Sequence, residues 1–202
     1  MSYTFQDAEY EQGMDELFLE FKQQYEDDFI FDKVFDFYKL NPELAVDALL
    51  NLSEAELLLK SEHYTASFLH AFIAIESGVK VVILKPILSS LSLDHRATDL
   101  LFKDTFKLKS IPYISEFYYQ ILFELTEINF KEIKRNGCSK TLWYEFKEMQ
   151  QIRNKIIHQG QLITEEMAES EISIAIFLFS EIIPTILKRY NFRLNENKIV
   201  YG

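Results

Sequence analysis

Along most of this chain, apolar side chains return every three or four residues, the period of one face of an α-helix. Residues that break such a pattern are scarce. Five glycines and four prolines in 202 residues leave little with which to build the many reversals of a β-sandwich or barrel. The pattern predicts an all-α fold, and an apolar share of 48% is enough to give a domain of this length its own core.

The periodicity divides into segments. Leu17, Phe18, Phe21, Tyr25, Phe29, Val34, Phe37 and Tyr38 predict an amphipathic helix from Met14 to about Leu40, stopped by Asn41-Pro42. Ser53 with Glu56 three residues later reads as a capping box, so a short helix is expected to begin there. A broad apolar stripe from Tyr64 through Phe68, Phe72, Ile75 and Val79 to Ile83 predicts a long helix over 62–84, which Pro86 bends or ends. An irregular stretch follows, and Pro112 opens a helix expected to reach about Arg135 before Asn136-Gly137. Ser139 is placed to cap the next helix, which Gly160 stops; Thr164 opens the last, with Pro184 placed to kink it. The short interval between these two favours antiparallel packing.

Charge is uneven. The net value is −11, which by itself argues against nucleic acid. Residues 1–36, however, hold eleven acids against two bases, whereas 131–155 hold seven bases against three acids, a local anion-attracting face. A single cysteine, Cys138, allows no internal disulfide and points to a reducing compartment. The N-terminus lacks the basic start and apolar run of a secretory signal, and the most apolar stretch, Tyr64–Leu91, carries His70, Glu76, Lys80 and Lys85, so it reads as a core helix rather than a membrane span. A cytoplasmic protein with no membrane partner is expected.

The segment richest in chemistry is QQIRNKIIHQG, residues 150–160, which puts Arg153, Asn154, Lys155 and His158 at the end of a helix. A guanidinium stays protonated and presents paired donors to phosphate, and an imidazole exchanges a proton near neutral pH. The amide of Asn154 both donates and accepts, so it can orient either group or a ribose hydroxyl. Asn154 and His158 share a helix face, but Arg153 and His158 lie about 140° apart on an ideal helix, so they converge best at a frayed end or across a dimer axis. Glu76 and Lys80, one turn apart, pair across the helix surface or line a cleft beside it. His63 and His70 lack the acidic ligands that would complete a metal site, and no phosphate loop, dinucleotide fingerprint or serine elbow is present.

RNKIIH, following an aromatic amphipathic helix, preceding a long final helix, and accompanied upstream by FLHAFIAIESGVKVV, resembles the HEPN superfamily, whose hallmark is an Arg followed at four to six intervening positions by a His. The resemblance covers about 62–190 and implies an antiparallel helical bundle; outside it, 1–61 is expected as an acidic helical extension packed on the bundle and 191–202 as a C-terminal tail. It further implies a homodimer with the two motifs facing across a cleft. Many members are metal-independent endoribonucleases of toxin–antitoxin, abortive-infection or other defence systems, with a neutralising protein as partner and no cofactor. On that reading Arg153, Asn154 and His158 are catalytic, and Lys155, Glu76 and Lys80 contact RNA that is single-stranded or looped. The competing reading is a noncatalytic dimeric module for protein interaction or for nucleotide or RNA binding, since some HEPN proteins act that way.

Overall fold

The computed structural model describes residues 29–90, 123, 126 and 128–202. The expected helix before residue 29, the irregular stretch and most of the segment opened by Pro112 lie outside the described residues. The described part is predominantly helical, with one two-stranded hairpin at its end.

Helix α1, residues 29–40, stops at Asn41 as expected; there Asn41 Nδ2 donates back to the Phe37 carbonyl at 2.8 Å. Helix α2 spans Val46–Lys60 and corrects the capping-box reading. Ser53 sits inside it, its hydroxyl bonded to the Leu49 carbonyl one turn back, so the Ser-x-x-Glu spacing marks no terminus. Helix α3, Tyr64–Ser77, packs against α2 and is tied to it by Ser67 Oγ on the Ala55 carbonyl at 2.8 Å and by His70 Nδ1 and Asn51 Oδ1 at 3.0 Å. His70 is therefore a packing residue.

Pro86 does not end this helix. A proline ring collides with the carbonyl four residues back and supplies no N–H, so the turn before it must open. The chain does this with a π-helical segment, Gly78–Leu84, in which Lys85 N–H bonds the Lys80 carbonyl five residues back, and helix α4 continues over Lys85–Ser90. The carbonyl that Pro86 would have satisfied in a regular α-helix is that of Val82. The fully buried Tyr38 donates its hydroxyl to that oxygen at 2.9 Å, so α1 provides a donor beside the imino acid.

The same arrangement recurs before Pro184. Helix α6, Glu165–Phe177, passes through a π-helical segment, Leu178–Ile182, into α7, Ile183–Arg189, and Ile183 N–H bonds the Leu178 carbonyl. The two widened segments meet at Gly78. A Cβ there would lie 3.0 Å from both Leu178 Cδ2 and Phe179 Cζ, so any larger residue at this crossing would push these two side chains back by a few tenths of an ångström. Among the described residues one helix, Glu165–Arg189, is long and apolar enough to cross a membrane, but 56% of its apolar window is buried within the structure, where its first part packs against α2 and α3, as for a core helix.

Helix α5, Leu142–Gln159, is entered differently from the expectation. Residues 128–135 are turn and irregular chain rather than the end of a helix. Their carbonyls cap α5: Leu142 N–H bonds Ile133 O at 2.8 Å and Trp143 N–H bonds Phe130 O at 3.1 Å. Thr141, not Ser139, is the cap residue, and it makes no side-chain capping bond. At the other end Gly160 takes the left-handed conformation (φ 65°) and bonds the Ile156 carbonyl, the expected stop. Thr164 caps α6 as expected, its side chain accepting from Met167 N–H.

The C-terminal segment forms an antiparallel hairpin, β1 Phe192–Asn195 with β2 Lys198–Tyr201, in register Phe192 with Tyr201 and Asn195 with Lys198. Phe192 and Ile199 enter the core, where Phe192 meets Phe35 and Tyr38 of α1, and Ile199 N–H bonds the Pro42 carbonyl. Among the described residues a hydrophobic cluster thus runs from Val34 to Ile199.

Replacing Tyr38 with Phe keeps the ring but strips the Val82 carbonyl of its buried donor. The expected loss is about 1–3 kcal/mol in denaturant unfolding with an unchanged m-value. No loss would mean that this carbonyl is satisfied otherwise.

Candidate functional site

The residues singled out in the sequence sit on α5 and on the face of α3 next to it. Arg153 is half-buried. Its guanidinium lies over the Phe72 ring of α3, 6.0 Å from the ring centre, and its Nη1 donates to Asn154 Oδ1 at 3.1 Å. Gln150 Nε2 also reaches Asn154 Oδ1, at 3.4 Å. Asn154 therefore acts as the acceptor that holds the arginine against α3.

Phe72, Glu76 and Lys80 follow one another at four-residue steps, so the arginine stands at the head of the stripe that carries the Glu76–Lys80 pair. That pair is bonded at 2.7 Å with side chains only 28% and 13% exposed, which makes it a wall of the fold rather than a freely solvated surface pair. His158 and Lys155 differ: both are exposed on the last turns of α5. Among the described residues His158 has no hydrogen bond or ion pair, and none of them joins it to Arg153. The structure thus groups Arg153 with Asn154 beside the α3 stripe, and the five-residue step from Arg153 to His158 puts the imidazole on a different side of α5 from the guanidinium.

A second constellation escaped the sequence reading. Arg135, from the turn before α5, makes a paired contact with Glu145 of α5, Nε to Oε2 at 3.1 Å and Nη2 to Oε1 at 2.6 Å, and gives Nη1 to Ser173 Oγ of α6 at 2.7 Å. Donating to the Glu145 carboxylate raises the Arg135 pKa further, so its charge is fixed. Close by, Glu171 of α6 is 2% exposed, and its Oε1 is buried without a hydrogen-bond partner. Burial holds its carboxyl well above the usual carboxylate range; the neighbouring Glu145 adds to this and Arg135 opposes it in part. A cavity of about 450 Å³ lies against these groups, bounded by α5, α6, the 135–140 turn and Phe68 of α3. It contains Ile152 but not Arg153, Asn154 or His158.

The signal for this cluster was present but faint. Glu171 falls among Ala168, Ile172 and Ala175, and Glu145 among Leu142, Phe146 and Met149, all buried. A carboxylate on a core-facing stripe requires a partner or a proton. The partner, Arg135, lies in a turn whose approach helical spacing does not reveal.

No metal-binding group of three or more His, Cys, Asp or Glu side chains exists among the described residues. No family model matches this chain, nor does any curated protein or solved structure.

Because folded Glu171 keeps its proton where an unfolded glutamate, near 4.5, has lost it, the folded state binds more protons above that pH and stability falls as pH rises. In Glu171→Gln the fall is expected to be shallower. The variant should match the parent near pH 4 and gain on it progressively towards pH 8 in urea unfolding; parallel curves for the two proteins would contradict a protonated Glu171.

Proposed function

We propose that this chain is a metal-independent endoribonuclease of HEPN type, a cytoplasmic homodimer that cleaves single-stranded or looped RNA. The observation that carries the reading is the state of Arg153. In a protein of net charge −11, its half-buried guanidinium is held by a neutral amide oxygen and an aromatic face, and among the described residues it has no carboxylate partner. Arg135, by contrast, is paired with the Glu145 carboxylate and also donates to Ser173. A cation left uncompensated by its own fold is suited to an anion that arrives with substrate.

In the proposed reaction an RNA 2′-hydroxyl attacks the adjacent phosphorus and the 5′-oxygen leaves. His158 takes or gives the proton, Arg153 stabilises the charge that develops on the phosphoryl oxygens, and Asn154 fixes the guanidinium. One imidazole cannot be acid and base at once, and His158 is remote from Arg153 around the helix, so the second copy completes the site. Exposed apolar groups flank His158: Ile157 is 51% and Leu162 84% exposed, an apolar rim that a symmetric partner would cover. Lys155 adds positive charge at the same end, and the Glu76–Lys80 pair borders the path of the strand. Activity against cellular RNA makes the protein a toxin or defence effector held in check by a neutralising protein.

Full-length protein should cleave a fluorescent single-stranded RNA in the presence of EDTA and leave cyclic-phosphate ends. His158→Ala should lower turnover by about 10²–10⁴-fold with an unchanged circular dichroism spectrum, and Arg153→Ala should do likewise. Undiminished cleavage by either variant would refute these assignments. A folded dimer with no RNA turnover would favour the noncatalytic binding module.

A further inference from the structure

The Glu171 cavity has a composition that an interior void does not require. One side is apolar, with Phe68, Met149, Met167 and Ile174. The charged and titratable groups around Glu171 are Arg135, Cys138 and Lys140 from the turn, Glu145 and Glu148 from α5, and Glu166 from its own helix; α3 contributes only Phe68. Both cations are committed. Arg135 uses Nε, Nη1 and Nη2 on Glu145 and Ser173, and Lys140 Nζ lies 2.6 Å from both oxygens of Glu148. Two carboxyls, Glu166 and Glu171, are left over, and the deeper one carries a buried oxygen with no donor. An unsatisfied buried acceptor costs free energy, and in a native fold it calls for an explanation.

We infer that this cavity is a binding site for a small organic cation, an ammonium group on a short apolar chain, with the ammonium donating to Glu171 and the chain lying along Phe68, Met149, Met167 and Ile174. An anion is disfavoured by the surplus of carboxyls among the described lining residues, whose two cations, Arg135 and Lys140, are paired with Glu145 and Glu148. A metal ion is disfavoured because the described residues offer no group of three ligands. The volume of about 450 Å³ falls within the roughly 300–1,000 Å³ of small-molecule sites and exceeds what one water needs. Binding is coupled to protonation: burial pushes the Glu171 carboxyl up, and an arriving ammonium favours its carboxylate, so a proton held there leaves to solvent as the ion pair forms. This inference uses neither Arg153 nor His158 and stands whether or not the chain cleaves RNA.

The test uses n-pentylamine, with 1-pentanol as its neutral counterpart, on the full-length protein. Pentylamine should raise the melting temperature saturably. Calorimetric titrations in two buffers of different ionisation enthalpy should show proton release on amine binding, diminished in Glu171→Gln. Glu171→Gln, which keeps shape and removes the charge, should weaken pentylamine binding about tenfold or more. Ser170→Trp, at an exposed position on the rim, should block it without touching the core. Binding of Nα-acetyl-lysine amide would place the natural source in a protein side chain, whereas its failure beside a positive pentylamine result would place it in a free amine. Equal binding of pentanol and pentylamine, undiminished binding by both variants, or no saturable binding to the folded parent would overturn the inference.

Discussion

Two core helices of this protein each carry a proline well inside their length, and the rest of the fold follows from how that conflict is resolved. A proline in an α-helix removes a donor and crowds the preceding turn. Here each helix widens into a π-helical segment that ends two residues before the ring, at Leu84 before Pro86 and at Ile182 before Pro184. The widened turns are placed where the helices cross, with Gly78 against Leu178 and Phe179. Tyr38 of α1 then supplies a donor to Val82, and the C-terminal hairpin closes over α1 through Phe192. Elements distant in sequence are thereby fixed to one point in the core.

That frame explains why two arginines so near each other in sequence have different fates. Arg135 lies in the turn whose carbonyls cap α5, and this turn delivers it to Glu145 and Ser173. Its charge is spent on holding α5 to α6. Arg153, further along α5, faces Phe72 on α3, where the neighbouring carboxylate, Glu76, is already bonded to Lys80. The proposed nuclease chemistry and the proposed cation cavity thus occupy adjacent sides of one helix, separated by the Ile152–Arg153 step.

Much of the helical layout was legible because its signals are local. The stripe of α3, the stop at Asn41, the Gly160 terminus and the Thr164 cap each depend on a few neighbouring residues and were read correctly. Two readings failed for a shared reason. The Ser53–Glu56 spacing and the apolar residues Ile128 and Phe130 satisfy local templates, yet Ser53 lies mid-helix and residues 128–135 form a capping turn. In each case a tertiary demand, the pairing of α2 with α3 or the unsatisfied N–H groups of α5, outweighed a weak local preference. The separation of Arg153 from His158 was legible from helix geometry alone, whereas the Arg135–Glu145–Glu171 cluster was not.

The sequence by itself determined that this chain is helical and where its basic, histidine-bearing segment falls, since the period of apolar residues and the order of charges are properties of the chain taken along its length. Only the tertiary structure decided which arginine is neutralised, which proline is tolerated and which glutamate is driven to keep its proton. Those outcomes depend on groups brought within a few ångströms from remote positions, Tyr38 to Val82 and Arg135 to Ser173 among them, and burial then sets whether a charge is paired, exposed or abandoned.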